Sequence, residues 1–357
     1  MGDYAVPAKY LLGNILDAEI IDVPKITNKT VELGNRYSPD FICSPFKYTL
    51  GSLIEGLEMG ANILVQYGGG CRYGYYSELQ KQILKDLGYK FTMINLITAG
   101  KTDIKRIYKE LRKVNKVKIV KSSFIALNAV LMVKCMDKID DYMRKHAGFE
   151  VEKDSFNKLK KLFLSDLANT RGIMNTYKIY KDYVKNFKNI KINKPPNPIK
   201  IGIIGELYTI MEPYSNYNIE EKLIASGIEI TRFTNVDYLL FKKKIYIRKM
   251  LKKSKFIKNK MGADAADNIC RAEILCEENY DGIIHIKSSF CTPEIGAMPI
   301  INKICSKNNV PVLFMSFDTM TSEVGVNTRL EAFIDMLEMR HKNDWRVYRN
   351  RYRFNIY

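Results

Sequence analysis

Histidine is scarce in this chain of 357 residues, with three copies, and tryptophan occurs once. No two of the seven cysteines are spaced C-x-x-C, which argues against a zinc ribbon and a thioredoxin-like site. No uninterrupted apolar run reaches the roughly 20 residues that a bilayer-spanning helix needs. The opening stretch MGDYAVPAKY sets Asp3 and Pro7 where a signal peptide would carry a basic start and an apolar core. The expectation is a cytoplasmic protein with no membrane among its partners, in a compartment where widely spaced cysteines stay reduced. A cysteine with a purpose is then a metal ligand or a nucleophile.

Acidic residues are short where basic ones are dense. The net charge is +18, yet residues 1–100 hold 9 basic and 10 acidic side chains, against 25 and 10 in residues 101–200. Lys242 to Lys260 carries ten basic residues and no acid. Both basic blocks, KRIYKELRKVNK and FKKKIYIRKMLKKSKFIKNK, read as amphipathic helices. Such a face suits nucleic acid, anionic lipid or an acidic protein, or is simply a solvated surface. No aromatic RNA-binding strand or recognition-helix pattern accompanies the lysines, which disfavours nucleic acid.

Short apolar runs alternate with amphipathic stretches through the first hundred residues: AEIIDVP, DFICSP, YTLGSLIEGLEMG, ANILVQYGGG, YYSELQKQILKDLG, YKFTMINLI. The alternation resumes after NKPPNP, with IKIGIIGELY, NIEEKLIASG, EITRFTN, AADNICRAEILCEENY, DGIIHIKSS and VPVLFMSFD. Continuous apolar strands between helices predict parallel α/β sheets. Between the halves the pattern is helical, as in SFIALNAVLMVKCMDKI. The predicted architecture is an α/β fold of two flavodoxin- or Rossmann-like parallel-sheet domains, residues 1–115 and 196–357, joined by a helical insert over 116–195. GGGCRYG lacks the spacing of a dinucleotide-binding loop or P-loop.

Cys135, Cys270, Cys276 and Cys305 sit in helical apolar patterns and read as core residues. Cys43, Cys71 and Cys291 instead end strand-like runs at turns, in DFIC-SPFK, LVQYGGGC-RYG and IHIKSSFC-TPE. Ligands of open parallel sheets gather beyond the carboxyl ends of strands, so these three can converge. Three thiolates fall short of a four-ligand zinc site, and His285 lies inside its strand, where packing or hydrogen bonding is expected of it. They also suit an iron–sulfur cluster with one iron left open, or are unrelated strand-end thiols.

The motifs CSPFK, GGGCRYGYY, IGELY, DGIIHIKSSFCTPE and TRLEAF resemble, in this order, those of the 2-hydroxyacyl-CoA dehydratase D-component and benzoyl-CoA reductase superfamily, above all its stand-alone, CoA-enzyme-activase-related branch. The resemblance implies a [4Fe–4S] cluster held by Cys43, Cys71 and Cys291 in a cleft between the domains, with three cysteine ligands and one open iron. It also implies one-electron, low-potential chemistry of anaerobic metabolism on an acyl-CoA-type substrate. In such dehydratases an ATP-hydrolysing iron–sulfur activator supplies the electron, and a related second subunit or a homodimer completes the enzyme. No further cysteines flank the three, which argues against a double-cubane cluster, and MGADAADN departs from the family's glycine- and histidine-containing turn.

Near these ligands, Lys47 and Arg72 supply cations beside Cys43 and Cys71, and Tyr73, Tyr75 and Tyr76 shield the Cys71 loop from water. Glu206, at the end of IKIGIIG, and Glu294, in the first turn after Cys291, are the candidate proton-handling groups. Either also has a plain capping or dipole role. Arg329 and Glu331 read as beginning the last helix, with an intrahelix or interdomain ion pair expected of them and Asn327 or Thr328 as the cap. Lys242, Lys243 and Lys244 mark the face through which a non-catalytic accessory protein would dock an activator ATPase.

Overall fold

The computed structural model describes residues 2–22, 25–96, 104–115 and 118–342. Among them the chain folds as α1 (Ala5–Leu16), α2 (Asn28–Tyr37), α3 (Ser44–Glu58), β1 (Ile63–Gln66), α4 (Tyr76–Asp86), β2 (Thr92–Asn95), α5 (Ile104–Arg112), α6 (Ile119–His146), α7 (Ser155–Asn169) and α8 (Ile173–Asn189). The second half runs β3 (Lys200–Gly205), α9 (Leu207–Met211), α10 (Ile219–Ala225), β4 (Glu229–Arg232), α11 (Lys243–Lys253), α12 (Ala265–Glu277), β5 (Gly282–Ser288), α13 (Thr292–Asn308), β6 (Val312–Phe317) and α14 (Glu323–Lys342).

The second half holds a four-stranded, wholly parallel sheet of order β4-β3-β5-β6. Every residue of β5 is buried, as expected of a strand covered on both faces. One face packs on α10 and α14 through Ile203, Ile284, Leu223 and Leu330, and the other on α12 and α13 through Ile283, Ile269, Leu275 and Ile301. The chain leaves β3 in one direction to form β4 and in the other to form β5. This reversal, the order of flavodoxin-like folds, opens a crevice at the carboxyl ends of β3 and β5.

The first half is sparser. Its described sheet is the parallel pair β1-β2. The strands expected at AEIIDVP and DFICSP are not formed over their described residues; Val23 and Pro24 lie outside them. Phe41 takes a left-handed φ of 55° and is exposed, so the backbone turns where an extended run was expected. α2 and α3 pack with their backbones in near contact: a Cβ on Gly51 would stand 2.0 Å from the Thr30 carbonyl oxygen.

Between the halves the described chain is helical. α6, α7 and α8 bury Met132, Met136, Phe156, Phe163 and Phe187 together, and α1 packs on α6 and α7. α6 is long and apolar enough to cross a membrane by length and composition, with a mean hydropathy of 1.6 over its best 18 residues. The expectation from uninterrupted runs missed this, because isolated lysines break a run without making the helix polar. Asp137 of α6 accepts from the Asp237 amide at 2.7 Å, and Arg144 pairs with Glu220 at 3.0 Å, tying these helices to the second half.

Two expected helix bounds shift. The second basic block is a π-helical turn, Tyr238–Lys242, followed by α11, which stops at Lys253. There the Ser254 hydroxyl accepts from the Phe256 and Ile257 amides, each at 3.2 Å, and diverts the backbone. The last helix starts at Glu323, so Asn327 and Thr328 lie inside it rather than at its cap. Arg329 donates to the Phe314 carbonyl at 2.6 Å, and among the described residues it has no ion-pair partner.

Candidate functional site

Each of the three singled-out cysteines is the residue at which a helix begins. Cys43 caps α3, Cys71 caps a short 3-10 helix over Arg72–Tyr75, and Cys291 caps α13. Cys71 and Cys291 follow strands, as expected, whereas Cys43 follows the turn at Phe41. A backbone amide lowers the thiol pKa at two of the three, that of Tyr73 at Cys71 and that of Glu294 at Cys291, each against a larger rise from burial. The Tyr73 amide donates to Cys71 Sγ at 3.4 Å, and Cys43 Sγ is hydrogen-bonded to the Tyr76 hydroxyl.

All three thiols share one electrostatic neighbourhood. Burial pushes Cys43 up to about 11, against the Tyr76 hydrogen bond and the Arg72 charge, while Glu206 and Cys71 push it further up. Burial also raises Cys71 and Cys291, and Glu206 acts on both in the same direction. Cys71 in turn acts on Cys43 and on Cys291. Glu206 is thus the one carboxylate that acts on all three cysteines, with Asp264 acting also on Cys71 and Glu294 also on Cys291. Among the described residues no three His, Cys, Asp or Glu side chains stand as a group able to hold a single metal ion. The thiols are electrostatic neighbours that do not form such a group.

Glu206 sits at the switch point itself. Gly205 ends β3 with φ 138° and with its Cα so near β5 that a Cβ would lie 1.8 Å from the Ile286 carbonyl oxygen; glycine alone lets the chain turn here. Glu206 then caps α9, accepting from the Tyr208 amide at 2.8 Å and the Thr209 amide at 3.0 Å. Burial raises its pKa to about 7 despite those bonds, with Asp264 adding to the rise. It is poised to exchange a proton near neutrality.

Glu294 is placed differently. It is fully buried, accepting from Asn268 Nδ2 at 2.9 Å and meeting His285 Nε2 at 2.8 Å. Both oxygens are engaged in joining α13 to α12 and β5, and His285 is hydrogen-bonded, as its place in the strand implied. Arg72 donates to the Phe290 carbonyl at 2.9 Å, clasping the Cys71 loop to the segment before Cys291. Lys47, one turn beyond Cys43, is not among the principal charges acting on the thiols. Of the tyrosines, Tyr76 reaches Cys43, Tyr73 packs on Tyr76 with ring centroids 5.2 Å apart, and Tyr75 is exposed.

Sequence reasoning missed Lys287. It is buried at the end of β5 and donates at 3.3 Å to the carbonyls of Ser288 and Ser289. Burial lowers its pKa, and Cys291 and Glu294 act against that. The available signal was a lone cation inside the otherwise apolar strand GIIHIKS.

Residues 248–337 match the family model "2-hydroxyglutaryl-CoA dehydratase, D-component". The match runs from α11 into α14 and takes in Cys291, and it supports the superfamily that the motifs resemble. No curated protein matches the chain.

Proposed function

We propose that this 2-hydroxyacyl-CoA dehydratase-like chain holds a [4Fe–4S] cluster on Cys43, Cys71 and Cys291 and passes single electrons at low potential to an acyl-CoA-type substrate. What supports the reading is that three thiols at helix starts, contributed by both halves, lie within electrostatic reach of Glu206, which follows β3 at the sheet's switch point. The donor set suits such a group: three soft sulfurs whose burial favours the neutral thiol would lose their protons on binding a cationic, thiophilic partner. Bound there, the group would supply one-electron reduction and an open iron for a substrate oxygen.

The chain's own residues have definite tasks in this reading. The Tyr76 hydroxyl at Cys43, the Tyr73 amide at Cys71 and the Glu294 amide at Cys291 stabilise negative charge on the sulfurs. Tyr73 keeps water out. Arg72 keeps the Cys71 loop against the Cys291 segment, so that sulfurs from both halves stay in one cleft. Glu206 gives or takes the proton that accompanies reduction, at a pKa near 7. An ATP-hydrolysing activator would supply the electron, and a related subunit or second copy would complete the assembly.

Iron and sulfide quantification on anaerobically purified protein, with electron paramagnetic resonance after reduction, tests the proposal. About four irons and four sulfides with a reduced-cluster signal support it, and iron-free protein that cannot be reconstituted overturns it.

A second reading, a non-catalytic accessory that docks an activator, draws on the exposed basic face of α11. Lys242 and Lys243 are paired with Asp237 and Asp264, so free charge lies at Lys244, Lys249 and Lys252, which have no carboxylate partner among the described residues. Reversing those three should weaken a salt-sensitive association while leaving iron content unchanged. An unchanged association would remove this reading.

A further inference from the structure

A cavity lies away from the cysteines, between α2 and α3 on one side and the α10 and α14 starts on the other. It is half open to solvent, with a volume of about 540 Å³, within the range of small-molecule sites. Tyr48, Tyr214 and Tyr217 form aromatic walls, with Glu32, Asn218 and Glu323 among the polar lining. In a chain of net charge +18, no lysine or arginine is among its lining residues.

Tyr48 is only 4% exposed, yet its hydroxyl has no hydrogen-bond partner among the described residues. Its ring packs edge-on to Tyr214, with centroids 6.1 Å apart. The Tyr217 hydroxyl is committed to the Thr321 carbonyl, and Glu323 to Lys222 at 2.9 Å. Glu32 lies exposed at the cavity rim, and its carboxylate has no partner among the described residues. The uncommitted groups are thus the Tyr48 phenol and, at the exposed rim, the Asn218 amide and the Glu32 carboxylate, beside the tyrosine rings. That combination stabilises a positive charge carried on a short carbon skeleton, the carboxylate by Coulomb attraction and the rings by their quadrupoles.

We propose that this cavity binds a small organic cation of the alkylammonium class, its charge at Glu32 and its carbon chain along the tyrosines. The site is separate from the cysteine cleft and independent of any cluster. Tyr48 stacks at 13° on Tyr208, with centroids 6.3 Å apart, and α3 carries both Tyr48 and the cap Cys43, so the two sites share a helix.

Calorimetric titration of the full chain at low ionic strength with 1,4-diaminobutane, 1,4-butanediol and succinate tests the proposal. The diamine should bind at least tenfold tighter than the diol, and succinate should not bind. Glu32→Gln should weaken the diamine at least tenfold. Tyr48→Phe, which keeps the ring, should weaken it several-fold. Glu58→Gln, a surface carboxylate paired with Lys29, should leave it unchanged. Equal binding of diamine and diol, no diamine binding at millimolar concentration, or an unchanged affinity in Glu32→Gln would each overturn the assignment, provided the variant unfolds at the wild-type denaturant midpoint.

Discussion

Ser44 and Ser288 stand 244 positions apart and are joined by two hydrogen bonds of 3.0 Å, from the Ser44 amide and from the Ser44 hydroxyl to Ser288 Oγ. Ser44 follows Cys43 and Ser288 precedes Cys291 by three residues. The pair fastens the α3 start onto the end of β5, and so sets where two of the three thiols stand.

Ser288→Ala leaves the buried Ser44 amide without its acceptor. An unsatisfied buried donor costs about 1–3 kcal/mol. Urea unfolding should show a loss of that size, and iron retention should fall with it. An unchanged midpoint would mean that the bonds do not hold the halves together.

Glu206 makes apo-protein stability depend on pH. Its folded pKa is about 7 against a usual 4.5, so the folded state binds the proton more tightly. Its contribution is fully present below about pH 4.5 and is lost as pH rises through 7. Glu206→Gln removes that slope. Relative to wild type the variant should gain stability steadily between pH 5 and 8, by up to about 3 kcal/mol at one pKa unit per 1.4 kcal/mol. Parallel stability curves for the two proteins would refute the raised pKa.

Lys287→Met removes a cation whose charged form the buried site penalises. The apo-protein should be as stable as wild type or more so, by about 1 kcal/mol, as read by thermal melting. In the cluster-bound protein, loss of a nearby positive charge should lower the reduction potential. A strongly destabilised apo-protein would instead make Lys287 a structural tether.

Glu294→Ala should cost about 2–4 kcal/mol, because Asn268 and His285 both lose a buried partner. Glu294→Gln keeps an acceptor and should recover part of the loss. Equal destabilisation by Gln and Ala would point to the carboxylate charge rather than the hydrogen bonds.

Single alanine replacements of Cys43, Cys71 and Cys291 should each reduce bound iron, whereas Cys270→Ala and Cys305→Ala should retain it with a modest stability loss. Cys270 and Cys305 are buried among α12, α13 and Ile283, where a thiol serves as packing. Full iron in Cys43→Ala would end the three-ligand assignment.

The sequence by itself determined the parallel α/β class, the break at NKPPNP and the separation of three turn cysteines from four core ones. Those features rest on local apolar periodicity and turn residues, which neighbouring side chains express directly. It misjudged DFICSP, because a left-handed Phe41 overrides three apolar residues. It also left Lys287 unseen, since a strand pattern shows that a lysine is present but not that its head group is buried. Only tertiary structure decided that the β3/β5 reversal sets Glu206 and Cys291 at one crevice, that Ser44 meets Ser288, and that Glu294 turns into a buried network while Glu206 faces the thiols. Those outcomes depend on which helix ends packing brings together across two sheets, over separations of up to 244 residues that no local pattern encodes.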